Sequence, residues 1–302
     1  MFVVTRKIGG IFTCVQNSPF GHFVYSLVRH IQELTLRYSE ELAAKLLREH
    51  DTVQTELQQL LLSTIRAGQS LTDDRAKDYM LHGAGRRLSI LRRCLENVFR
   101  LFPPSRTTPL DSEDLYEVQI SLHAFVMNLY GAFENLAWCF VLRHGLEEEI
   151  GDRRRIGMFS KSTQQYLPVP LRAYLTSETM QKWQTEYLKN YRDALAHRIP
   201  LYIPPATYTP EQSERYKALD QDEWESIQLQ QWDRLEKIRT EKATLGSACP
   251  MFIHSYSDEG GGRPLYLHPQ MVCDIKTVLE FFPLFFSHWN ERAQLQVERT
   301  GH

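Results

Sequence analysis

SEDLYEVQISLHAFVMNLYGAFENLAWCFVLRHG, residues Ser112 to Gly145, is the stretch whose reading decides the fold. Leu115, Val118, Leu122, Phe125, Val126, Leu129, Phe133, Leu136, Ala137 and Phe140 recur at three- and four-residue steps, which puts them on one broad stripe of a helix. Gly145 stands where a left-handed residue commonly closes such a helix.

Helical patterning continues on both sides. Before it, Leu34, Leu42, Leu46, Leu57, Leu60, Leu61 and Ile65 mark a long helix from about Gly21 to Ala67, with Gly68 as its stop. Thr72 reads as the N-cap of another helix, with Asp73 and Asp74 in its first turn. That helix runs towards Phe102 and is ended by Pro103-Pro104, with Gly83 and Gly85 inside it. After Gly145, a helix from Ser177 stops at Pro200. Thr209-Pro210-Glu211-Gln212 then combines a threonine cap, a first-position proline and a glutamine at the capping-box position, opening a polar helix to about Arg239.

Extended chain is expected at Phe2–Val15, and a hairpin near 251–267, where Met251–Tyr256 and Pro264–Leu267 flank Asp258-Glu259-Gly260-Gly261-Gly262. A last helix starts at His268-Pro269. The expected class is mainly α. Residues 1–74 are an N-terminal extended segment plus long helix, and 75–302 a helical domain carrying the hairpin.

Composition narrows the function. Lys plus Arg number 35 against 37 Asp plus Glu, a formal charge of −2, which argues against a strongly basic, non-specific nucleic-acid binder but leaves room for a local basic patch. No uninterrupted apolar run reaches the roughly 18 residues that span a bilayer. Met1–Pro19 has too short an apolar run behind Arg6 and Lys7 for a secretory signal, so the chain reads as cytoplasmic, with no membrane partner. Cys14, Cys94, Cys139, Cys249 and Cys273 are scattered with no C-x-x-C pair, so they propose neither a disulfide framework nor a thiolate metal site. Phosphate-loop, H-E-x-x-H, G-x-S-x-G and EF-hand patterns are absent, and no cofactor is expected. The acidic clusters Glu147–Glu149 and Asp220/Asp222/Glu223 read as solvated faces or helix ends.

Chemistry concentrates in Asn190-Tyr191-Arg192-Asp193-Ala194-Leu195-Ala196-His197-Arg198-Ile199-Pro200. With about 100° per residue, Met180, Trp183, Tyr187, Tyr191 and Leu195 form the apolar stripe, and Arg192 and His197 fall on its opposite shoulders. Asp193 and His197, four apart, share a face, so the carboxylate can accept the imidazole N–H and fix its tautomer. Ile199, before proline, leaves helical geometry, which sets His197 in the last turn.

Arg192-Asp193-(x3)-His197 resembles the R-x4–6-H signature of HEPN domains, in which an Asn, Asp or His usually follows the arginine. Arg263…His268 and Arg75…His82 share the spacing, but the first crosses Pro264 and the second lacks the polar residue after its arginine. The order of elements also fits, with the motif on a late core helix after an apolar helix ending Phe133-Glu134-Asn135-Leu136-Ala137-Trp138. The N-terminal helix and the hairpin exceed a minimal HEPN-like bundle, and Ile199 stands where one toxin subgroup carries Tyr.

The resemblance implies a metal-independent endoribonuclease of the toxin or defence type, with Arg192, Asp193 and His197 as its catalytic set. His197 would move the proton of a ribose 2′-OH and Arg192 would hold the phosphate, leaving cyclic 2′,3′-phosphate and 5′-hydroxyl ends. It also implies a homodimer with a composite site, and an antitoxin or other regulatory partner protein. Arg198, Arg153, Arg154 and Arg155 could form an RNA-binding rim, and Glu134, Asn135 and Tyr191 could support the site from behind. The alternatives are a non-catalytic RNA-binding or protein-interaction module, in which Asp193 simply pairs with Arg192 or His197 to brace the helix, and a weaker third, a nucleotide-binding regulator.

Overall fold

The computed structural model describes residues 37–254 and 264–293 and is mainly α. Its helices are α1 (Glu40–Gln69), α2 (Asp74–Asp78), α3 (Arg86–Leu101), α4 (Ser112–Arg143), α5 (Glu147–Ile150) and α6 (Lys161–Gln164). They continue as α7 (Val169–Thr176), α8 (Glu178–Lys182), α9 (Lys189–His197), α10 (Pro210–Gln228), α11 (Trp232–Thr244) and α12 (Leu267–His288). Two π-turns interrupt the α geometry without ending the helix, Tyr79–Gly85 between α2 and α3 and Trp183–Leu188 between α8 and α9.

Helix α4 is the spine. Its stripe from Val118 to Phe140 is buried, and Gly145 closes the end with φ +64°. By length and composition α4 could cross a membrane, but 61% of its most apolar window is buried inside the fold, as suits a core helix. Helix α3 packs along it, while α12 packs on α1. Leu42, Leu46, Val53 and Leu57 of α1 join one core with α3, α4 and α12 that is continuous across residues 74 and 75. At its centre Phe133 stacks on Phe281 at 5.0 Å and meets Trp183 at 5.6 Å. Each such ring withdraws enough apolar surface to contribute about 2–3 kcal/mol.

A buried carboxyl locks α12 to the helix that carries the R-x4-H spacing. Asp274 accepts from Trp183 Nε1 at 3.0 Å, Tyr187 Oη at 2.6 Å and Gln270 Nε2 at 2.9 Å. Burial still raises its pKa to about 7, against the pull of these three donors.

Several boundaries differ from the sequence reading. Within the described residues the first helix begins at Glu40, because Ser39 caps it by accepting from Leu42 N; the earlier part of that expected helix, the extended Phe2–Val15 and Cys14 lie outside the described residues. The second N-cap is Asp73 rather than Thr72, since its carboxylate accepts from Ala76 N at 2.6 Å. Gly83 and Gly85 fall in the first π-turn. The threonine capping box forms at Thr209, but the polar helix does not run to Arg239. It breaks after Gln228, where Gln230 takes φ +53°, and α11 folds back on α10. Asp220 and Glu223 there share Lys242, with Asp222 on Arg234 and Glu223 also on Arg239, so this acidic cluster is paired across a helical hairpin. The late strands shorten to β1 (Met251–Phe252) and β2 (Leu265–Tyr266), antiparallel with Met251 opposite Tyr266; their expected glycine tip lies outside the described residues. The last helix starts one residue early, at Leu267. Cys94, Cys139, Cys249 and Cys273 are buried and free, as small core side chains.

Candidate functional site

The helix that ends at His197 is set by its own sequence and by what it packs on. Ser177 caps it, accepting from Met180 N at 3.4 Å, and Met180, Trp183, Tyr187 and Tyr191 are buried, as their spacing predicts. Beyond Pro200 the chain returns to α4, where Leu201 O meets His123 Nε2 at 2.8 Å and Gln119 Oε1 accepts from Ile203 N at 3.3 Å. The end of α9 is therefore held on both sides.

Arg192 lies against α4. Its Cζ sits 4.0 Å from the centre of the Tyr130 ring, a cation–π arrangement, and its Nη1 pairs with Asp193 Oδ1 at 3.1 Å. Glu134, one turn along α4, shares this surrounding. Its carboxyl is raised to about 7, first by burial, against the Met158 backbone N–H and the Arg192 charge, which both lower it. Burial also raises the Tyr130 hydroxyl.

Asp193 does not hold His197. Lys189 Nζ takes its Oδ2 at 2.9 Å while Arg192 takes Oδ1, so two cations occupy both carboxylate oxygens. His197 is exposed, and its ring has no hydrogen-bond partner among the described residues. It lines a surface groove of about 610 Å³ with Thr185, Lys189, Asn190, Asp193 and Arg198. Arg192 is not in that lining, so the two shoulders of the stripe are separated as the helical wheel requires.

The other expected residues divide sharply. Arg198 is on the groove, but its Nη2 donates to Asn190 O at 2.7 Å and Asn190 Oδ1 at 2.6 Å, tying off the last turn. Tyr191 is a core residue, 4.7 Å from His254 and 5.6 Å from Phe252 between ring centres, and joins the helix to β1 rather than supporting the groove. Arg153, Arg154 and Arg155 form a 3₁₀ turn outside the groove lining. Arg153 pairs with Glu147 at 3.2 Å and lies 5.5 Å from the Trp138 ring, and Arg155 Nε donates to Ser162 Oγ at 3.0 Å. The expected arginine rim is thus mostly spent on internal contacts.

Glu134 and Asn135 are neighbours in sequence but serve opposite flanks of α4. Asn135 Oδ1 accepts from Arg87 Nε at 2.8 Å, and Asn128 Oδ1 accepts from Arg87 Nη1 at 3.0 Å. The guanidinium crosses Gly131 so closely that an added Cβ would lie 2.4 Å from Arg87 Cζ. Sequence reading passed over Tyr130, Lys189, Arg87 and Asn128. Only Lys189, four before Asp193, had a local signal. Among the described residues no cluster of three or more His, Cys, Asp or Glu could hold a metal ion.

Comparison with protein-family models, curated proteins and solved structures finds no match to this chain.

Proposed function

We propose that the protein is a metal-independent endoribonuclease of the HEPN type, acting at the groove where α9 ends. The observation that supports this is His197: an exposed imidazole in the last helical turn, without a hydrogen-bond partner among the described residues, beside Lys189 in an open groove. An imidazole so placed can take the proton of a ribose 2′-OH and return one to the leaving 5′-oxygen. Lys189 and the exposed part of Arg192 supply positive charge for the phosphate, and Tyr130 with Asp193 fixes the direction of the guanidinium. Two copies related by a two-fold axis would bring one chain's Arg192 shoulder to the other's His197 shoulder, which is how a homodimer would complete the site. The cytoplasm is the proposed setting, and a regulatory partner protein would restrain the activity.

A specific observation favours the second reading, a non-catalytic RNA-binding or protein-interaction module. Arg192 lies outside the groove lining and is bound to Tyr130 and Asp193 within its own chain. One experiment separates the two. Purified protein, His197→Ala and Arg192→Ala are incubated with end-labelled RNA in excess EDTA and the new ends are mapped. Cleavage by wild type alone, leaving cyclic 2′,3′-phosphate, is expected. Equal cleavage by His197→Ala would sink the assignment, and no cleavage across several RNAs would transfer it to the binding module.

A further inference from the structure

On the flank of α4 opposite Arg192, a hollow of about 450 Å³ is lined by Asp78, Tyr79, His82, Gly83, Arg86, Arg87, Ile90, Asn128 and Asn135. Its floor is Arg87. Both of the hydrogen bonds this guanidinium makes go to neutral carboxamide oxygens, and among the described residues it has no carboxylate partner. That is unusual for a half-buried cation, which ordinarily takes an anion as it leaves water. Arg75 and Arg153 share Glu147, and Asp78, the one carboxylate of the lining, faces His82 at 4.0 Å, while Arg86 at the rim has no ion pair among the described residues. Burial lowers the Arg87 pKa.

The surroundings hold this cation in place rather than relieve it. Asn128 and Asn135, on two turns of α4, fix Nε and Nη1, and Gly131 leaves room for the side chain to lie flat between them. The remaining donors of the fork are left for a ligand. The rim is made by the π-turn Tyr79–Gly85, a geometry frequent at functional sites, and it brings His82 and Tyr79 to the same opening as Arg86. Tyr79 is held by stacking on Trp138 at 5.2 Å and 9°, and it gives one end of the hollow an aromatic character, about three helical turns from the exposed Ile90. A fixed, uncompensated guanidinium beside an aromatic wall, in a space of small-ligand scale, suits a planar molecule that carries a phosphate.

We propose that this hollow binds a mononucleotide, its phosphate on Arg87 with Arg86 and His82 at the rim and its base against Tyr79. The site is separate from the groove at His197 and does not depend on the activity assigned there.

Calorimetric titration of the full chain with AMP, GMP, CMP and UMP tests it, alongside adenosine, inorganic phosphate and an oligoribonucleotide lacking terminal phosphates. Saturable binding of at least one monophosphate is expected, stronger than that of adenosine. Asn135→Asp, which supplies Arg87 with an internal counter-charge, is expected to weaken binding by at least about tenfold, and Arg87→Gln by a similar factor. Thermal unfolding of each variant shows that it has folded; should Arg87→Gln fail to fold, Asn135→Asp carries the test. His197→Ala should leave the affinity unchanged, which keeps this site distinct from the groove. No binding by any monophosphate, adenosine binding as tightly as AMP, binding of the oligoribonucleotide alone, or undiminished affinity in folded Asn135→Asp would each overturn the proposal.

Discussion

Two arginines lie on opposite flanks of α4, and their surroundings differ in one respect that governs the rest. Arg192 rests on Tyr130 with Asp193 paired to it and Glu134 close by, so its flank carries its own carboxylates. Arg87 rests over Gly131 between Asn128 and Asn135, so its flank offers only amides. The same side chain is internally neutralised on one face and left charged on the other. Since Glu134 and Asn135 are adjacent on one helix, a single step of about 100° separates the two regimes.

The largest effect should come from the helix that carries Arg192, at its opposite shoulder. His197→Ala is expected to lower RNA cleavage at least about a hundredfold, the scale of a positioned acid–base group, while its unfolding midpoint stays near wild type because the side chain is exposed. End mapping and a thermal melt on the same sample check both halves.

Next comes Glu134. Its folded pKa of about 7 exceeds the unfolded value near 4.3, so the folded state holds the proton longer, and stability is fully present below about pH 4 and declines as pH rises towards 7. Glu134→Gln should remove a decline of about 1–3 kcal/mol across that window, read from urea midpoints at several pH values. A wild-type curve with the same slope as the variant would show that the carboxyl is not strained.

Arg192→Met is a smaller perturbation. It removes the cation–π contact and one partner of Asp193, whose other oxygen Lys189 keeps, and a loss of about 1–2 kcal/mol is expected. The smallest effect separates the flanks most cleanly. Asn135→Asp on the Arg87 side should stabilise the fold by about 0.5–1 kcal/mol, as a half-exposed pair would. Destabilisation there would mean that Arg87 already has the charge balance it needs.

The fold was largely legible, and the reasons are local. The α4 stripe follows the helical period without interruption, and the Thr209 box carries both of its reciprocal partners within four residues. The break at Gln228 was not legible, because Gln228-Leu229-Gln230-Gln231 contains neither glycine nor proline and Gln230 takes a left-handed turn that its type does not announce. In the candidate site, the positions of Arg192 and His197 on opposite shoulders came from helix geometry alone. The Asp193 contacts did not, since three cationic or imidazole side chains stood within reach of one carboxylate and spacing could not rank them. The Arg87 site was invisible for a different reason: its partners lie 41 and 48 positions away, and only packing brings them together.

The π-turn at Trp183–Leu188 makes the last turn of this helix a matter of phase. Such a turn accommodates one residue more than an α-helix would over the same length. Everything after it, including Arg192 and His197, is therefore indexed to Tyr130 and the groove by that surplus residue. Were the same residues to close as plain α-helix, the surplus residue would turn everything after it by about 100°. The segment from Lys189 to His197 would keep its composition, its length and its Arg-to-His spacing, yet point its functional side chains at the wrong neighbours. Selection on this chain would then act on a count of residues that no motif search contains.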